Sequence, residues 1–236
     1  MVYDGIFFDL DGTLLPMDND EFTRCYFGYL LKAVAPFGYK KETFIPAMWQ
    51  SVGAMVKNDG KCSNENAFWE SFGQLLGKQV YEHKPVFDEF YRTDFDKAII
   101  SVQPRPDMAR RVVAMAREKA DCVVLATNPI FPRIAVEKRL AWAGLKPEAF
   151  DLVTDYENSG TCKPNPEYYR EICGKLALNP EKCLMIGNNA QEDVEASRAA
   201  GLSQFLLTDC LINSAGDLPD CPHGSFEELI KFLENL

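Results

Sequence analysis

The chain has 236 residues, of which 47% are hydrophobic and 25% are charged, and such a composition excludes a disordered chain and is typical of a soluble globular protein. The formal net charge of −10 disfavours nucleic acid as a partner, because a phosphate backbone selects clustered Lys and Arg. A small anionic substrate stays compatible with this charge, since one metal ion and one lysine create enough local positive potential.

The cysteines and the N-terminus bear on cellular location. The eight cysteines form no CxxC pair and no zinc-like cluster of Cys and His spacings, so we expect reduced thiols. The first residues contain no basic and apolar leader, and no run of 18 apolar residues occurs, so neither secretion nor membrane insertion is indicated. We therefore expect a cytoplasmic protein with no membrane partner, and the sequence leaves open whether it is a monomer or a homodimer.

Short apolar segments alternate with helix signals along most of the chain. This alternation is typical of buried parallel strands joined by crossover helices. Strands are predicted at 5–10, 121–127, 150–154, 183–187 and 204–207, and helices at 107–118, 133–143, 166–176, 192–200 and 225–236. The pattern predicts an α/β fold, a Rossmann-like parallel sheet with helices on both faces.

The segment 16–102 interrupts this alternation. It is rich in aromatic residues and predicts helices at 20–34, 44–56 and 66–76 without a strong strand. We expect an inserted α-helical cap domain at 16–102 and a core domain made of 1–15 and 103–236. Trp49, Phe68 and Trp69 are predicted to form the core of the cap, and Arg24, Lys57 and Lys61 are more often surface charges than ligands.

Two acids follow the first predicted strand. Asp9 and Asp11 come directly after an apolar run, and Gly12 follows them. Ligands bind at the carboxyl ends of strands in open α/β sheets. Two neighbouring carboxylates there can divide the work, one as nucleophile or metal ligand and one as proton shuttle. Taken alone, the pattern is equally well explained by an Asp-Gly turn.

The run Asp9-Leu10-Asp11-Gly12-Thr13-Leu14 resembles the first signature of the haloacid dehalogenase superfamily, and the resemblance extends over nearly the whole chain. Thr127, followed by Asn128, matches the second signature at the end of a strand. Lys163 in Cys162-Lys163-Pro164-Asn165-Pro166 matches the third, where prolines fix a helix start and an ammonium can balance a phosphoryl charge. A solvated lysine in a proline turn is the alternative for Lys163.

The fourth signature is an acidic loop after a late strand, and here the chain departs from the family pattern. Asn188 follows Gly187 where the family usually has an aspartate, whereas Asp193 matches the second acid of the loop. An amide oxygen is still a ligand for Mg²⁺, although with one negative charge less. Glu192 is a less favoured substitute for Asp193, and both acids are also compatible with a plain first helical turn.

The resemblance implies a Mg²⁺-dependent phosphohydrolase that acts on a small phosphorylated metabolite through an aspartyl-phosphate. Asp9 would attack phosphorus, Asp11 would act as acid and base, and Thr127, Asn128 and Lys163 would bind the phosphoryl oxygens. The metal ligands would be Asp9, Asp11, Asn188 and Asp193. Because Asp11 is the second aspartate that phosphotransferase members use, phosphate chemistry is favoured over dehalogenation.

Two alternatives stay open at this point. A phosphomutase would use the same intermediate, and the predicted cap is similar to that of the branch with phosphoglycolate phosphatase and β-phosphoglucomutase. A non-catalytic binding module is motivated by Asn188 and Asn189 in the metal loop. His83 and His223 lie outside every signature, so neither receives a catalytic role.

Overall fold

A computed structural model describes residues 2–214 and 216–236. In these residues, six strands form one parallel sheet in the order β3-β2-β1-β4-β5-β6. The strands are β1 Tyr3–Phe8, β2 Ala120–Leu125, β3 Leu152–Val153, β4 Cys183–Gly187, β5 Ser203–Leu207 and β6 His223–Gly224. The predicted α/β fold with a parallel sheet is therefore confirmed.

Helices occupy two stretches of the chain. Those before β2 are α1 Asn19–Val34, α2 Lys41–Val56, α3 Asn64–Leu76, α4 Gln79–Glu82, α5 Lys84–Arg92 and α6 Pro106–Lys119. The later ones are α7 Arg133–Trp142, α8 Pro166–Leu176, α9 Ala196–Ala199 and α10 Phe226–Glu234. Short 3₁₀ helices lie at Ala35–Phe37, Asp94–Ser101, Pro147–Ala149 and Pro180–Lys182, and a π-helical turn at Ala190–Glu195.

The strands that position the site are central and buried on both faces. Ile6, Phe7 and Phe8 of β1 are fully buried, as expected for a parallel strand covered by helices on both sides. Phe7 belongs to the cluster under α8, whereas Ile6 and Phe8 belong to a cluster that continues into the helices between β1 and β2. The alternation of side chains along one strand thus joins two hydrophobic layers.

Residues 16–102 form the helical insertion, a name used from here on for this segment. Its two ends run side by side, because the backbone N–H of Gln103 donates to the carbonyl of Pro16 at 2.8 Å and Met17 forms an antiparallel bridge with Val102. The division into a core domain and a cap domain at these boundaries stays a prediction.

Two features of the fold were not predicted from the sequence. Residues 79–101 form α4, α5 and a 3₁₀ helix, where no element was predicted, and β6 is a two-residue edge strand that pairs with the end of β5. A two-residue strand is too short for a period-two pattern. Residues 79–101 fold because their apolar side chains are buried, although turns separate them. These side chains are Val80, Phe87, Phe90, Phe95 and Ala98.

Candidate active site

The carboxyl edge of the sheet gathers most of the predicted site residues around one cavity of about 370 Å³. Its floor comes from loops that follow β1, β2 and β4, which are neighbours in the sheet. Asp9, Asp11, Thr127, Asn128, Asn188 and Asp193 line it. Lys163 lies directly beneath, fully buried, with its ammonium on two of these carboxylates.

Asp9 is the central group of this floor. Its backbone N–H donates to the carbonyl of Ile186 at 2.9 Å, which fixes it between β1 and β4. The Lys163 ammonium donates to Asp9 Oδ1 at 2.9 Å, and the Thr13 hydroxyl lies 3.3 Å from Oδ2. Burial raises the pKa of Asp9 to about 7, because the loss of water outweighs the lowering effect of Lys163.

Lys163 joins two predicted signatures. The same ammonium that contacts Asp9 also donates to Asp193 Oδ1 at 2.6 Å. Although burial acts in the opposite direction, Asp193 and Asp9 raise the pKa of Lys163 well above its ordinary value. Lys163 is therefore a permanent cation here, and two of its three N–H donors are engaged by carboxylates. The alternative of a solvated lysine in a proline turn is wrong.

Asp193 is held by the turn that carries it. Its Oδ2 accepts from the backbone N–H of Asn189 at 2.9 Å, and Asn189 caps the π-helical turn through its own side chain. Gly187 is required beside it, because a Cβ at that position would overlap the Asp193 carboxyl group. The neighbouring Glu192 instead accepts from Asn128 at 3.1 Å. Asp193, and not Glu192, therefore contacts Lys163.

Asn188 is fixed by hydrogen bonds on both ends of its amide. Its Nδ2 donates to the carbonyl of Cys210 at 2.6 Å, and its Oδ1 accepts from the Thr13 hydroxyl at 3.0 Å. Gly12 adopts φ of +83° directly below it, where a Cβ would overlap the amide group. An aspartate in this place would set a carboxylate oxygen against the Cys210 carbonyl, which explains physically why an amide fits here.

Thr127 is positioned through its backbone. Its carbonyl accepts from the Thr154 hydroxyl at 2.8 Å and from the Tyr168 hydroxyl at 2.9 Å. Both donors are buried, so the end of β2 is held without using the Thr127 side chain. The carbonyl of Lys163 accepts from Asn128 at 3.4 Å, which ties the second and third signatures together.

Arg139, which was not predicted as a site residue, is buried and forms an ion pair with Asp11. Its guanidinium lies 4.3 Å from the centre of the Phe131 ring, and Nε donates to the carbonyl of Ala135 at 3.2 Å. Burial raises the pKa of Asp11, and Arg139 and Lys163 act against that rise. The sequence did contain a signal that Arg139 is buried, because Arg139 shares the apolar face of α7 with Ala135, Val136 and Leu140.

The oxygen atoms at the floor are suitable ligands for a hard cation, but we expect them to bind it weakly. Asp9, Asp193 and Asn188 offer two carboxylates and an amide oxygen, which is the oxygen chemistry that Mg²⁺ prefers. In the described part of the chain, no group of three or more His, Cys, Asp or Glu is arranged to hold a metal ion. Because Lys163 already neutralises part of this charge, we expect weak metal affinity in the absence of an anionic substrate.

Three predictions about residues outside the floor are also resolved. Arg24, Lys57 and Lys61 are exposed and do not line the cavity. Phe68 and Trp69 are buried, as expected for core residues, but both also line the cavity. The assignment of Trp49 to the core is wrong, because 50% of its surface is exposed and it stands in the cavity wall.

One further structural finding concerns membranes. Among residues 2–214 and 216–236, none of the helices combines the length and apolar character needed to span a bilayer.

Comparison with known proteins identifies a relative over the full length of the chain. Pyrophosphatase PpaX of Bacillus cereus strain B4264 is 23% identical over 234 residues, which cover 98% of this chain and 96% of that protein.

Solved structures share the fold. YfnB of Bacillus subtilis, a putative HAD-hydrolase bound to magnesium, has a TM-score of 0.58 at 20% identity, with 99% of each chain covered. A predicted phosphoglycolate phosphatase from Haemophilus somnus has a TM-score of 0.59 at 18% identity, with 98% of each chain covered. A 2-haloacid dehalogenase from Pseudomonas syringae has a TM-score of 0.63 at 16% identity, with 99% of each chain covered.

The haloacid dehalogenase-like hydrolase family model matches residues 3–201, a span that contains β1 to β4 and every residue assigned above to the cavity floor. The chain belongs to the haloacid dehalogenase-like hydrolase family.

Proposed function

We propose that the protein is a Mg²⁺-dependent phosphohydrolase that forms an aspartyl-phosphate on Asp9 and acts on a small phosphorylated metabolite. The observation that carries this proposal is the juxtaposition of Asp9, Asp11 and Lys163 at the floor of one cavity. Relatives named as a pyrophosphatase and as a phosphoglycolate phosphatase support phosphate chemistry. The dehalogenase neighbour shares the fold only.

Asp9 supplies the nucleophile in this proposal. One of its carboxylate oxygens attacks phosphorus in line with the leaving oxygen, and the P–O bond to the leaving group breaks. The Lys163 ammonium orients Asp9 through a 2.9 Å hydrogen bond, and its remaining N–H is available for a phosphoryl oxygen. Thr127 and Asn128, which line the same floor, complete the contacts to the phosphoryl group.

Asp11 supplies the proton in this proposal. Burial raises its pKa, so a proton on this carboxyl group is less costly than on an exposed aspartate. Asp11 protonates the leaving oxygen and later accepts a proton from the water that attacks the phosphorus of the aspartyl-phosphate. Because Arg139 binds Oδ2, Oδ1 is the oxygen that carries the proton, and Oδ1 has no hydrogen-bond partner in the described residues.

Asp9, Asp193, Asn188 and the backbone carbonyl of Asp11 are the groups that would hold Mg²⁺. The bound ion supplies positive charge that balances the charge developing on the phosphoryl oxygens. The residues themselves contribute orientation, because Asn188 is fixed by Cys210 and Thr13 and Asp193 is fixed by Asn189.

We propose a cytoplasmic location for this enzyme, because its eight cysteines are unpaired.

The test is phosphate release from p-nitrophenyl phosphate with and without Mg²⁺. We expect turnover that requires Mg²⁺ in the wild type and is lost in Asp9→Asn. Asp121→Asn is the matched control, because Asp121 is exposed and lies near the amino end of β2, whereas the cavity lies at the carboxyl edge of the sheet. If the wild type, Asp9→Asn and Asp121→Asn all show the same background rate, the protein is a non-catalytic member of the family.

A further inference from the structure

The roof of the cavity differs in chemistry from its floor. The floor holds carboxylates and amides, whereas the helical insertion contributes mainly aromatic side chains. Six of these aromatic residues are Tyr26, Phe27, Trp49, Phe68, Trp69 and Tyr91. They come from α1, α2, α3 and α5, so separate helices converge to build one aromatic surface above the nucleophile.

These rings form two groups in the cavity wall, one of Tyr26, Phe27, Trp49 and Tyr91 and one of Phe68 and Trp69. The hydroxyls of Tyr26 and Tyr91 are 2.8 Å apart. Phe27 contacts Tyr26 on one side, with ring centres 5.0 Å apart, and Trp49 on the other, with centres 5.6 Å apart. Phe68 and Trp69 pack edge to face at 5.5 Å. Such edge contacts hold the rings in place and leave apolar surface toward the cavity.

Among the described residues that line the cavity, no side chain is a cation that could pair with a negatively charged leaving group. Among the described residues that line it there is no lysine or arginine, whereas Asp20 and Glu192 add acidic groups to those of the floor. The two buried cations near the floor, Lys163 and Arg139, are already paired with carboxylates. A carboxylate or a second phosphate in the roof would therefore lose its water without gaining a counter-ion.

One polar atom in the wall also lacks a partner. Trp69 is more than nine-tenths buried, and its indole Nε1 makes no hydrogen bond within the described residues. Its neighbour is the Tyr156 hydroxyl: burial raises the pKa of Tyr156, and a weak contact with Trp69, longer or less well aligned than a normal hydrogen bond, acts against that rise. A buried unpaired N–H is costly, and a ligand with one acceptor atom would remove that cost.

We propose that the cavity selects phosphate monoesters whose leaving group is a neutral aromatic alcohol. The inference deepens the proposed phosphohydrolase function and rests on it. The phosphoryl group lies on the floor beside Asp9 and Lys163, and the ring of the alcohol packs against Trp49, Trp69 and Tyr91. A weak acceptor on the ring, where the substrate has one, faces Trp69 Nε1.

A cationic leaving group is a poorer fit than a neutral ring. The Trp69 ring already contacts a cation, because the Lys84 ammonium lies 5.8 Å from the ring centre, and a second cation beside it would be repelled. In the part of the helical insertion that lines the cavity, Asp20 is the one charged residue, and it is exposed at the start of α1 rather than among the rings. The buried carboxylates belong to the floor, where the phosphoryl group binds.

The test compares kcat/KM for substrates that share the same alkyl-oxygen chemistry. Benzyl phosphate, 4-carboxybenzyl phosphate, methyl phosphate and phosphocholine are hydrolysed with phosphate release as the readout. We expect benzyl phosphate to exceed the carboxylated analogue by about tenfold or more, and methyl phosphate by roughly 100-fold, since apolar contacts in a pocket give discrimination of this order. A preference for 4-carboxybenzyl phosphate or for phosphocholine over benzyl phosphate would overturn the proposal.

A charge placed in the wall provides the second arm. Trp49→Arg adds a cation at a half-exposed position of the wall, and we expect it to lower the ratio of benzyl to 4-carboxybenzyl phosphate by about fivefold or more. Ile100→Arg is the matched control, because Ile100 is 74% exposed and does not line the cavity. An equal ratio in both variants would contradict a role of the wall in specificity.

This design separates the two levels of the proposal. If no substrate of the series and no p-nitrophenyl phosphate is hydrolysed, the phosphohydrolase function itself is wrong. If p-nitrophenyl phosphate is hydrolysed with Mg²⁺ while benzyl and methyl phosphate react equally well, the function holds and the aromatic selectivity is wrong.

Discussion

Replacement of Arg139 by methionine tests the buried ion pair below the cavity. In the wild type, Arg139 is fully buried and holds Asp11, whose side chain is 23% exposed. Arg139→Met keeps an unbranched, space-filling side chain but leaves the Asp11 carboxylate without its cation. The variant also loses the contact of the guanidinium with the Phe131 ring at 4.3 Å.

The size of the effect has an upper bound. Removal of one partner of a buried pair costs about 3–5 kcal/mol, but Asp11 can take up a proton instead. Each unit by which folding raises the pKa of a carboxyl group costs about 1.4 kcal/mol while the pH stays above that pKa. Because Asp11 keeps some contact with water, we expect the free energy of unfolding to fall by about 2–4 kcal/mol at pH 7.

The pH dependence has a definite sign. Burial already raises the pKa of Asp11, and Arg139 limits that rise, so the folded-state pKa is higher still in Arg139→Met. A carboxyl group whose pKa is higher in the folded state than in the unfolded state destabilises the folded protein as the pH increases from the unfolded-state pKa through the folded-state pKa. The difference between variant and wild type should therefore be larger at pH 8 than at pH 5.

Urea unfolding followed by tryptophan fluorescence and circular dichroism measures these differences. The double variant Asp11→Asn/Arg139→Met removes both charges, and we expect it to recover most of the lost stability. Arg111→Met is the matched control, because Arg111 pairs with Glu234 on the surface and such a pair contributes about 0–1 kcal/mol. A loss below about 1 kcal/mol in Arg139→Met, or a loss independent of pH, would refute this reasoning.

Three further predictions concern single contacts. Asn188→Asp should lower the Mg²⁺ concentration that gives half-maximal rate. It should also lower the free energy of unfolding of the metal-free protein by about 1–2 kcal/mol, because an ionised carboxylate has no hydrogen to donate to the Cys210 carbonyl. An unchanged metal requirement would remove Asn188 from the metal site. Asn64→Ala should cost about 1–3 kcal/mol in urea unfolding, because this buried amide donates to the carbonyls of Pro129 and Thr161, whereas the exposed Asn66→Ala should change little. Gly12→Ala should lower the free energy of unfolding by about 2–4 kcal/mol and reduce kcat, because φ is +83° and the Cβ would displace Asn188. Wild-type stability and rate in this variant would contradict this.

The sequence predicted the floor of the site well because that floor is built by local rules. Asp9, Thr127 and Asn188 follow the ends of β1, β2 and β4, and parallel strands that lie next to each other bring their carboxyl ends together. The family signatures, which lie where predicted strands end, were therefore enough to choose these residues. The roles of these residues stay predictions.

The parts that sequence did not reveal depend on contacts between distant segments. The Arg139 and Asp11 pair joins residues 128 positions apart, and only the tertiary packing of α7 brings them together. The aromatic character of Trp49 and Trp69 was visible, but not whether these rings faced the core or the cavity, because the orientation of a helix depends on its tertiary partners. Residues 79–101 were missed for the same reason, since short helices carry weak periodic signals.

The most direct test of the central claim is to trap the phosphorylated nucleophile. The wild type and Asp11→Asn are mixed with Mg²⁺ and p-nitrophenyl phosphate, whose leaving group departs without an added proton. They are then quenched in acid, reduced with borohydride and digested for mass spectrometry. An aspartyl-phosphate is reduced to homoserine, so the account predicts homoserine at position 9, in greater amount in Asp11→Asn, because water activation is lost there. Turnover of substrate by the wild type with position 9 unmodified in both proteins would contradict Asp9 as the nucleophile.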